Sequence, residues 1–233
     1  MISKISAGSY DLNKWLYGGY ESDIINVIYG GSGTGKTNFC LLAAVSQAKK
    51  GNKVIFIDSE GGFSSDRVKQ LSPEDHENVL KNILLLKPTN FAEQKKAFDD
   101  LLKSLKDEVS LIVVDGMTIL YRLDFAAARN NGKDEDGEIR KINAELARQL
   151  RVLAEIARKR NIPIIVTNQV YKWDDSMRMV GGDILRYWGK CLIELTNDKG
   201  RRIAYLRKHR SMPEKEIEFQ IIDSGIRKRG FFA

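Results

Sequence analysis

The stretch Gly30-Gly-Ser-Gly-Thr-Gly-Lys-Thr37 decides how the rest of the chain is interpreted. It fits the pattern G-x-x-x-x-G-K-[ST], follows the apolar run Ile24–Tyr29 and opens a helical pattern over Lys36–Lys50. Glycines let the backbone curl so that successive N–H groups point at phosphate oxygens, and the following helix adds its positive end. We therefore predict that Lys36 reaches the β- and γ-phosphates of ATP and that Thr37 ligates Mg²⁺. The predicted nucleotide contacts are Gly30, Gly31, Ser32, Gly33, Thr34, Gly35, Lys36, Thr37 and Asn38.

A second apolar pattern, Leu111-Ile-Val-Val-Asp115, ends in a carboxylate. Such a strand-end aspartate can hold the hydration shell of Mg²⁺ opposite the hydroxyl of the phosphate loop. Many buried strands end in Asp, so this feature is weak alone. Because it accompanies the phosphate loop, it predicts that Asp115 and Thr37 share a Mg²⁺ site, with Asp115 acting through water.

Two further polar side chains follow apolar runs. Glu60 comes just after Val54–Asp58, and Gln169 ends Ile164-Ile-Val-Thr-Asn-Gln169. The carboxyl ends of parallel strands face the nucleotide crevice. Glu60 could polarise a water for attack on the γ-phosphate, and Gln169 could sense that phosphate. Taken singly, Glu60 fits a surface charge or a helix cap equally well, and Gln169 an ordinary strand-end amide.

Apolar runs alternate with amphipathic helical patterns along most of the chain, as expected of an α/β fold. We predict helices over Asn90–Lys106, where Asn90 and Glu93 resemble a capping box, and over Glu138–Lys159. We expect a mostly parallel central sheet flanked by helices, with a late antiparallel portion. The other predicted strands are Ile83–Leu86, Ile162–Asn168, Cys191–Thr196, Arg202–Leu206 and Ile217–Ile222.

Composition limits the class of protein. The chain has 233 residues, a net charge of +7 and 42% hydrophobic residues, as in globular proteins. Its apolar runs are far shorter than the about 20 residues of a membrane span. Two cysteines, Cys40 and Cys191, are too few for a disulfide framework, so a reducing cytoplasm is expected. We predict one domain over residues 1–233, with a basic tail over residues 226–233.

Together these motifs resemble the ATPase core of the RecA-type recombinases, and most of all the archaeal RadA group with its short RadB paralogues. The resemblance runs from Gly8 to Gly225. Besides the phosphate loop, it rests on Val166-Thr-Asn-Gln-Val170, on Gly181-Gly182 and on Met212-Pro-Glu214. It implies a RecA-type P-loop ATPase core, in which Glu60 activates water and Gln169 senses the γ-phosphate.

The same resemblance implies a role in homologous recombination and DNA repair. Recombinases carry a small helical DNA-binding domain before the core, whereas here the core starts at once, and the second DNA loop, Tyr171–Val180, is short. These departures favour a short-paralogue type, with weak ATP turnover, contact with a RadA-type recombinase and ATP at a possible subunit interface. An active minimal strand-exchange recombinase and a KaiC-like signalling ATPase remain alternatives.

Two loops carry the predicted contacts to DNA, which would be independent of sequence. The loop after Gln169 combines cations with aromatic side chains, a combination that holds single strands by phosphate contact and base stacking. The loop over Arg122–Gly137 is as readily a solvated loop. The candidate contacts are Lys172, Trp173 and Arg178 in the first loop, and Arg129 and Lys133 in the second.

Arg207-Lys-His-Arg210 is the remaining basic cluster. In the related KaiC- and DnaB-like hexameric ATPases a Lys-x-Arg pair reaches the γ-phosphate of the neighbouring subunit. Lys208 and Arg210 match that spacing, and a cation there can stabilise the charge of the transition state. Contact with DNA phosphates and a solvated strand end remain alternatives for both residues.

Overall fold

The structure is a computed structural model that describes residues 3–105, 108–130, 135–173 and 176–230. Within these ranges, the side chains of residues 104, 130, 135, 172, 173 and 176–178 are not described. Lys133 therefore lies outside the described residues, and so do the side chains of Lys172, Trp173 and Arg178.

The described helices and strands alternate along most of the chain, as predicted. The helices are α1 (Tyr10–Trp15), α2 (Lys36–Ala48), α3 (Ser65–Leu71), α4 (His76–Lys81), α5 (Phe91–Ser104), α6 (Ile119–Asn130), α7 (Glu135–Arg160) and α8 (Gly182–Trp188). The strands are β1 (Lys4–Ile5), β2 (Tyr20–Glu21), β3 (Ile25–Gly30), β4 (Lys53–Asp58), β5 (Ile83–Leu86), β6 (Val109–Asp115), β7 (Ile164–Trp173), β8 (Ser176–Met179), β9 (Gly189–Asp198), β10 (Arg201–Lys208), β11 (Lys215–Ile222) and β12 (Gly225–Lys228).

Ten of the described strands form one mixed sheet, in the order β12-β11-β10-β9-β3-β7-β6-β4-β5, and β8 pairs with β7. Strands β3, β4, β5, β6, β7 and β9 are parallel to their neighbours within this group, whereas β9 to β12 form consecutive antiparallel pairs. The predicted α/β class, with its late antiparallel portion, is confirmed. The phosphate loop follows β3, which lies between β7 and β9 in the middle of the sheet.

Each face of the sheet is covered by its own apolar core. Because successive strand residues point to opposite faces, Ile28 packs with α2 on one face, whereas Val27 and Tyr29 pack with α7 and α8 on the other. Phe39 of α2 meets Phe219 of β11 edge to face, with ring centroids 5.3 Å apart. The phosphate-loop helix is therefore fixed to both the parallel and the antiparallel halves of the sheet.

The prediction of a loop over Arg122–Gly137 was wrong where the structure describes it. Helix α6 continues to Asn130, and α7 begins at Glu135. Tyr121 and Phe125 pack into the second core, and Ala128, at helical spacing from both, is buried. Tertiary packing therefore outweighs the polar composition of this stretch.

The predicted basic tail over residues 226–233 begins within a strand. Residues 226–228 belong to the edge strand β12, and Ile226 is buried. Two side chains of the α1 region hold the strand: the Ser9 hydroxyl donates to the Ile226 carbonyl at 2.5 Å, and the Lys228 amide donates to Asp11 Oδ2 at 2.7 Å. The sequence pattern did not predict α1, so its pairing with β12 was not foreseen.

No helix in the described part of the chain combines the length and the apolar character that a membrane crossing requires.

Replacing Phe219 tests the link between the two halves of the sheet. Phe219→Ala should lower the free energy of unfolding by about 3–5 kcal/mol, because it leaves a cavity against Phe39. Equilibrium urea unfolding followed by circular dichroism measures the loss. Tyr10, which is 79% exposed, supplies the matched control: Tyr10→Ala should stay within about 0.5 kcal/mol of the parent. Equal losses in both variants would contradict this packing.

Candidate nucleotide site

The phosphate loop has the backbone that its glycines predict. Gly33 and Gly35 have φ values of +72° and +108°, in the region that favours glycine. The Lys36 ammonium donates to the carbonyls of Gly30 and Gly31, at 3.1 and 2.9 Å. Gly35 is the N-cap residue of α2 and provides no side-chain hydrogen bond to the first turn. The first N–H groups of α2 thus have the arrangement that binds a phosphate.

Asp115 lies at the end of β6, fully buried. Its Oδ1 accepts a hydrogen bond from the Thr167 hydroxyl at 2.6 Å, whereas its Oδ2 accepts none from the described residues. A Cβ built on Gly62 would lie 3.0 Å from Thr37 Oγ1 and 3.6 Å from Asp115 Oδ2, so both oxygens border one small space. Mg²⁺ prefers oxygen ligands and keeps several waters. The residues present fit a Mg²⁺ ion held by Thr37 and, through water, by Asp115.

Glu60 and Gln169 are brought together although they come from different strands. Gln169 Nε2 donates to Glu60 Oε2 at 3.2 Å and to Oε1 at 3.4 Å. The alternative of a helix cap at Glu60 is excluded, because the next helix, α3, is capped by the Ser64 hydroxyl. The two residues therefore form a pair at the carboxyl edge of the sheet, beside Asp115.

The electrostatics of the pair suit a base. The Glu60 side chain is exposed at the surface but partly desolvated by its neighbours. This desolvation and the charge of Asp115 raise the pKa of Glu60, whereas Lys36 and the hydrogen bond from Gln169 oppose that rise. Burial also raises the pKa of Asp115, against the hydrogen bond from Thr167. Burial lowers the pKa of Lys36, whereas the charges of Glu60 and Asp115 raise it. Perturbed values clustered in this way are typical of functional sites.

The segment after β4 is fixed by a residue that the sequence analysis did not single out for this role. Asp58 accepts the amides of Gly62 and Phe63 through its two carboxylate oxygens, each at 3.0 Å. The Ser59 amide donates to the Asp115 carbonyl at 2.7 Å. The turn that carries Glu60 is therefore closed by Asp58 and attached to the end of β6.

Arg67 is a second residue that the sequence did not reveal. Its Nε donates to Asn38 Oδ1 at 2.9 Å, and its other nitrogens donate to the carbonyls of Ile222 and Asp223, at 2.8 and 2.9 Å. Asn38, a predicted nucleotide contact, is thus engaged by Arg67 through its side-chain oxygen. This arginine ties the turn between β11 and β12 to the first turn of α2.

The segment after Gln169 is a β-hairpin whose base is attached to the site. Strands β7 and β8 pair from Val170 with Met179, and the Val180 amide donates to the Gln169 carbonyl at 3.1 Å. Asn168 Nδ2 donates to the Val180 carbonyl at 2.8 Å. Lys172, Trp173 and Arg178 lie on this hairpin by their backbone, and Arg129 lies in the last turn of α6.

Lys208 and Arg210 lie at the opposite edge of the sheet from their own phosphate loop. Lys208 Nζ donates to the carbonyls of Arg186 and Gly189, at 2.8 and 2.9 Å. Arg210 pairs with the buried Glu21 at 2.6 Å and with Asp23 at 2.7 Å. None of these contacts involves the phosphate loop of the same chain, so a role at a nucleotide would require the nucleotide of another subunit. Arg210 would have to exchange its carboxylate partners to bind a phosphate of any kind.

A substitution at Gly116 tests the position of Glu60. Gly116 has a φ of +80°, and an added Cβ would come within 2.8 Å of Glu60 Cδ. Gly116→Ala should displace the carboxylate and slow ATP turnover at least about tenfold, while nucleotide affinity changes little. Gly200 is the matched control, with a φ of +90° and open space around it. Steady-state kinetics measures the ATP turnover, and titration with a fluorescent ATP analogue measures the nucleotide affinity. Equal turnover in Gly116→Ala and Gly200→Ala would contradict the position assigned to Glu60.

Comparisons with known proteins identify the family of the chain. The Rad51 family model matches residues 1–229. The DNA repair and recombination protein RadB of Methanobrevibacter smithii is 38% identical over 226 residues, covering 92% of each chain. The protein of the same name from Methanocaldococcus jannaschii is 37% identical over 215 residues, covering 92% of this chain and 98% of the relative.

A solved structure is also similar. The crystal structure titled as that of the RadB recombinase superposes with a TM-score of 0.79 at 33% identity, covering 97% of this chain and all of the other. The family model spans nearly the whole chain and includes every residue of the site described above. The chain belongs to the Rad51 family.

Proposed function

We propose that this protein is an ATP- and DNA-binding accessory of homologous recombination and DNA repair, with weak Mg²⁺-dependent ATPase activity. The observation that carries the proposal is the contact of Gln169 with Glu60, because Gln169 also begins the hairpin that holds the candidate DNA contacts. The relatives named as DNA repair and recombination proteins support it. We further propose that the matched region acts as one ATPase domain.

Nucleotide binding is assigned to the phosphate loop. Backbone N–H groups from Gly31 to Lys36 surround the phosphates, and the Lys36 ammonium exchanges its two carbonyl acceptors for phosphate oxygens. Thr37 and, through water, Asp115 would hold Mg²⁺. The ion, when bound, neutralises charge on the β- and γ-phosphate oxygens.

Hydrolysis is assigned to Glu60 as the base that orients and polarises the attacking water. Its raised pKa makes the carboxylate a better proton acceptor than an ordinary glutamate. Gln169 fixes the direction of the carboxylate by donating to both of its oxygens. The weak turnover follows from the resemblance to the short paralogues.

DNA binding is assigned to the hairpin of β7 and β8, with Lys172, Trp173 and Arg178 as contacts. The net charge of +7 suits an anionic partner. Arg129 and Lys133 are secondary candidates. A change at Gln169 reaches the hairpin through the bond between the Val180 amide and the Gln169 carbonyl. This connection would let the nucleotide state affect DNA affinity and contact with a RadA-type recombinase.

Glu60→Gln should spare ATP binding and block hydrolysis, because the amide cannot accept a proton. The parent should lose turnover as the pH falls through the pKa of Glu60, because the base works only when it is deprotonated. This loss should occur at a pH above 4.5, the ordinary pKa of a glutamate. The residual rate of Glu60→Gln should lack this inflection. Lys36→Ala should abolish productive ATP binding. Phosphate release between pH 5 and 9 is the measurement.

The exposed Glu77 on α4 supplies the control, and Glu77→Gln should behave as the parent. If Glu60→Gln hydrolyses ATP at the parent rate, Glu60 is not the base.

The assignment of DNA binding to the hairpin predicts that the affinity for single- and double-stranded DNA falls as the salt concentration rises. Fluorescence anisotropy of labelled DNA measures this affinity at several salt concentrations, with and without ATP and Mg²⁺. Each phosphate contact removed should reduce the slope of log K against log salt by about 0.7 on single strands. The double variant Lys172→Ala/Arg178→Ala should therefore weaken binding, and Lys49→Ala/Lys50→Ala, which removes the same charge at the end of α2, should do so less.

Equal losses in the two double variants would contradict the hairpin assignment. Absence of DNA binding under all conditions would overturn the DNA-binding part of the proposal and favour an ATPase that acts through protein contacts.

A further inference from the structure

Two glutamines face each other inside the second apolar core. Gln94 of α5 and Gln149 of α7 are both fully buried. Gln94 Nε2 donates to Gln149 Oε1 at 2.8 Å. The helices that carry them contribute apolar side chains to that core, among them Phe98 of α5 and Leu150 of α7. Burying an amide costs free energy unless its hydrogen bonds are formed. Packing alone therefore does not explain why two glutamines occupy these positions.

The other contacts of Gln94 lead to the two segments of the nucleotide site. Its Nε2 also donates to the Met117 carbonyl at 3.2 Å, and its Oε1 accepts from the Ser59 hydroxyl at 3.4 Å. Ser59 immediately precedes Glu60, and Met117 lies two residues beyond Asp115. One side chain therefore connects the segment of the water-activating carboxylate with the segment of the metal-binding carboxylate.

The orientation of the Gln94 side-chain amide is fixed by its own helix, α5, and by the neighbouring helix, α7. On α5, the Asn90 side chain caps the helix by accepting the Glu93 amide at 2.9 Å, which fixes the first turn directly before Gln94. On α7, Gln149 Nε2 donates to Glu145 Oε1 at 2.9 Å, which leaves Gln149 Oε1 to accept from Gln94. The amide of Gln94 is thereby held with its nitrogen towards Met117 and its oxygen towards Ser59.

We propose that Gln94 is a positioning residue for ATP hydrolysis, with Gln149 fixing the orientation of its amide. Among the described residues, Gln94 forms its side-chain hydrogen bonds with Ser59, Met117 and Gln149, and none with the phosphate loop or the Glu60 side chain. It holds the Ser59–Glu60 segment and the Gly116–Met117 segment at a constant separation, so that Glu60 and Asp115 keep their relative places during turnover. This inference rests on the proposed hydrolysis at Glu60.

The first variant is Gln94→Met, which keeps the length of the side chain and removes its hydrogen bonds. The turnover number for ATP should fall at least about tenfold, because small misplacements of reacting groups are costly. The KM for ATP should change less than about threefold, since Lys36 and Thr37 lie outside the contacts of Gln94. Gln47→Met is the matched control: it replaces another buried glutamine, near the end of α2, and should leave turnover unchanged.

The double variant Gln94→Met/Gln149→Met separates positioning from stability. Gln94→Met alone leaves the Gln149 amide buried without its donor, which destabilises the fold. Removing both amides relieves that penalty, so the melting temperature should recover in the double variant. The turnover number should stay low, because Ser59 and Met117 still lack their partner. Recovery of turnover together with the melting temperature would overturn the proposal.

Ser59→Ala supplies a test that avoids the core. Ser59 is half-buried, so its loss should not unfold the chain. It should lower turnover by a smaller factor than Gln94→Met, and the combined variant should be no slower than Gln94→Met alone, because both changes break the same contact. If the combined variant loses turnover by the product of the two single factors, Ser59 and Gln94 do not act through the same contact.

Glu60→Gln in the same assay distinguishes the two proposals. If Glu60→Gln retains the parent turnover, the hydrolysis assignment fails, whatever Gln94 does. If Glu60→Gln is inactive while Gln94→Met turns over at the parent rate, only the role of Gln94 fails.

Discussion

Parallel pairing of the inner strands is the constraint on which the rest of the structure depends. The register places Gly30 of β3 opposite Gln169 of β7, and Asp58 of β4 opposite Asp115 of β6. Four strand ends therefore meet at one edge, although they come from segments far apart in the chain. A shift of one residue in either pair would turn side chains to the other face. The phosphate loop, the proposed metal-binding carboxylate and the candidate base all require this alignment.

The alignment gathers negative charge, and this has a cost in stability. Burial of Asp115 and partial desolvation of the exposed Glu60 raise their pKa values above the unfolded values. The folded chain therefore binds their protons more tightly than the unfolded chain does. The stabilisation from those protons is present at low pH and is lost as the pH rises through the folded pKa values. At neutral pH the ionised site therefore opposes folding, as is common where function and stability conflict.

The sequence predicted those parts of the molecule that depend on neighbouring residues. The phosphate loop is one continuous motif, and the placement of Glu60 and Gln169 followed from the rule that parallel strands end together. Helix α6 was missed because its apolar side is evident only against the second core. Arg67 was missed because Asn38, Ile222 and Asp223, the residues that it ties together, lie 29 to 156 positions away from it. The Gln94–Gln149 pair spans 55 positions. Contacts between residues so far apart in the chain leave no pattern in the local sequence.

The way in which β12 is held also bears on how the protein behaves at high concentration. An open edge strand offers its backbone groups to other chains and so promotes aggregation. Here the Ile226 carbonyl and the Lys228 amide are already taken by Ser9 and Asp11, and the strand carries Arg227 and Lys228. Along this edge, growth of the sheet into intermolecular β-structure would first require α1 to detach. By occupying these backbone groups, the α1 region therefore also opposes the formation of fibrils.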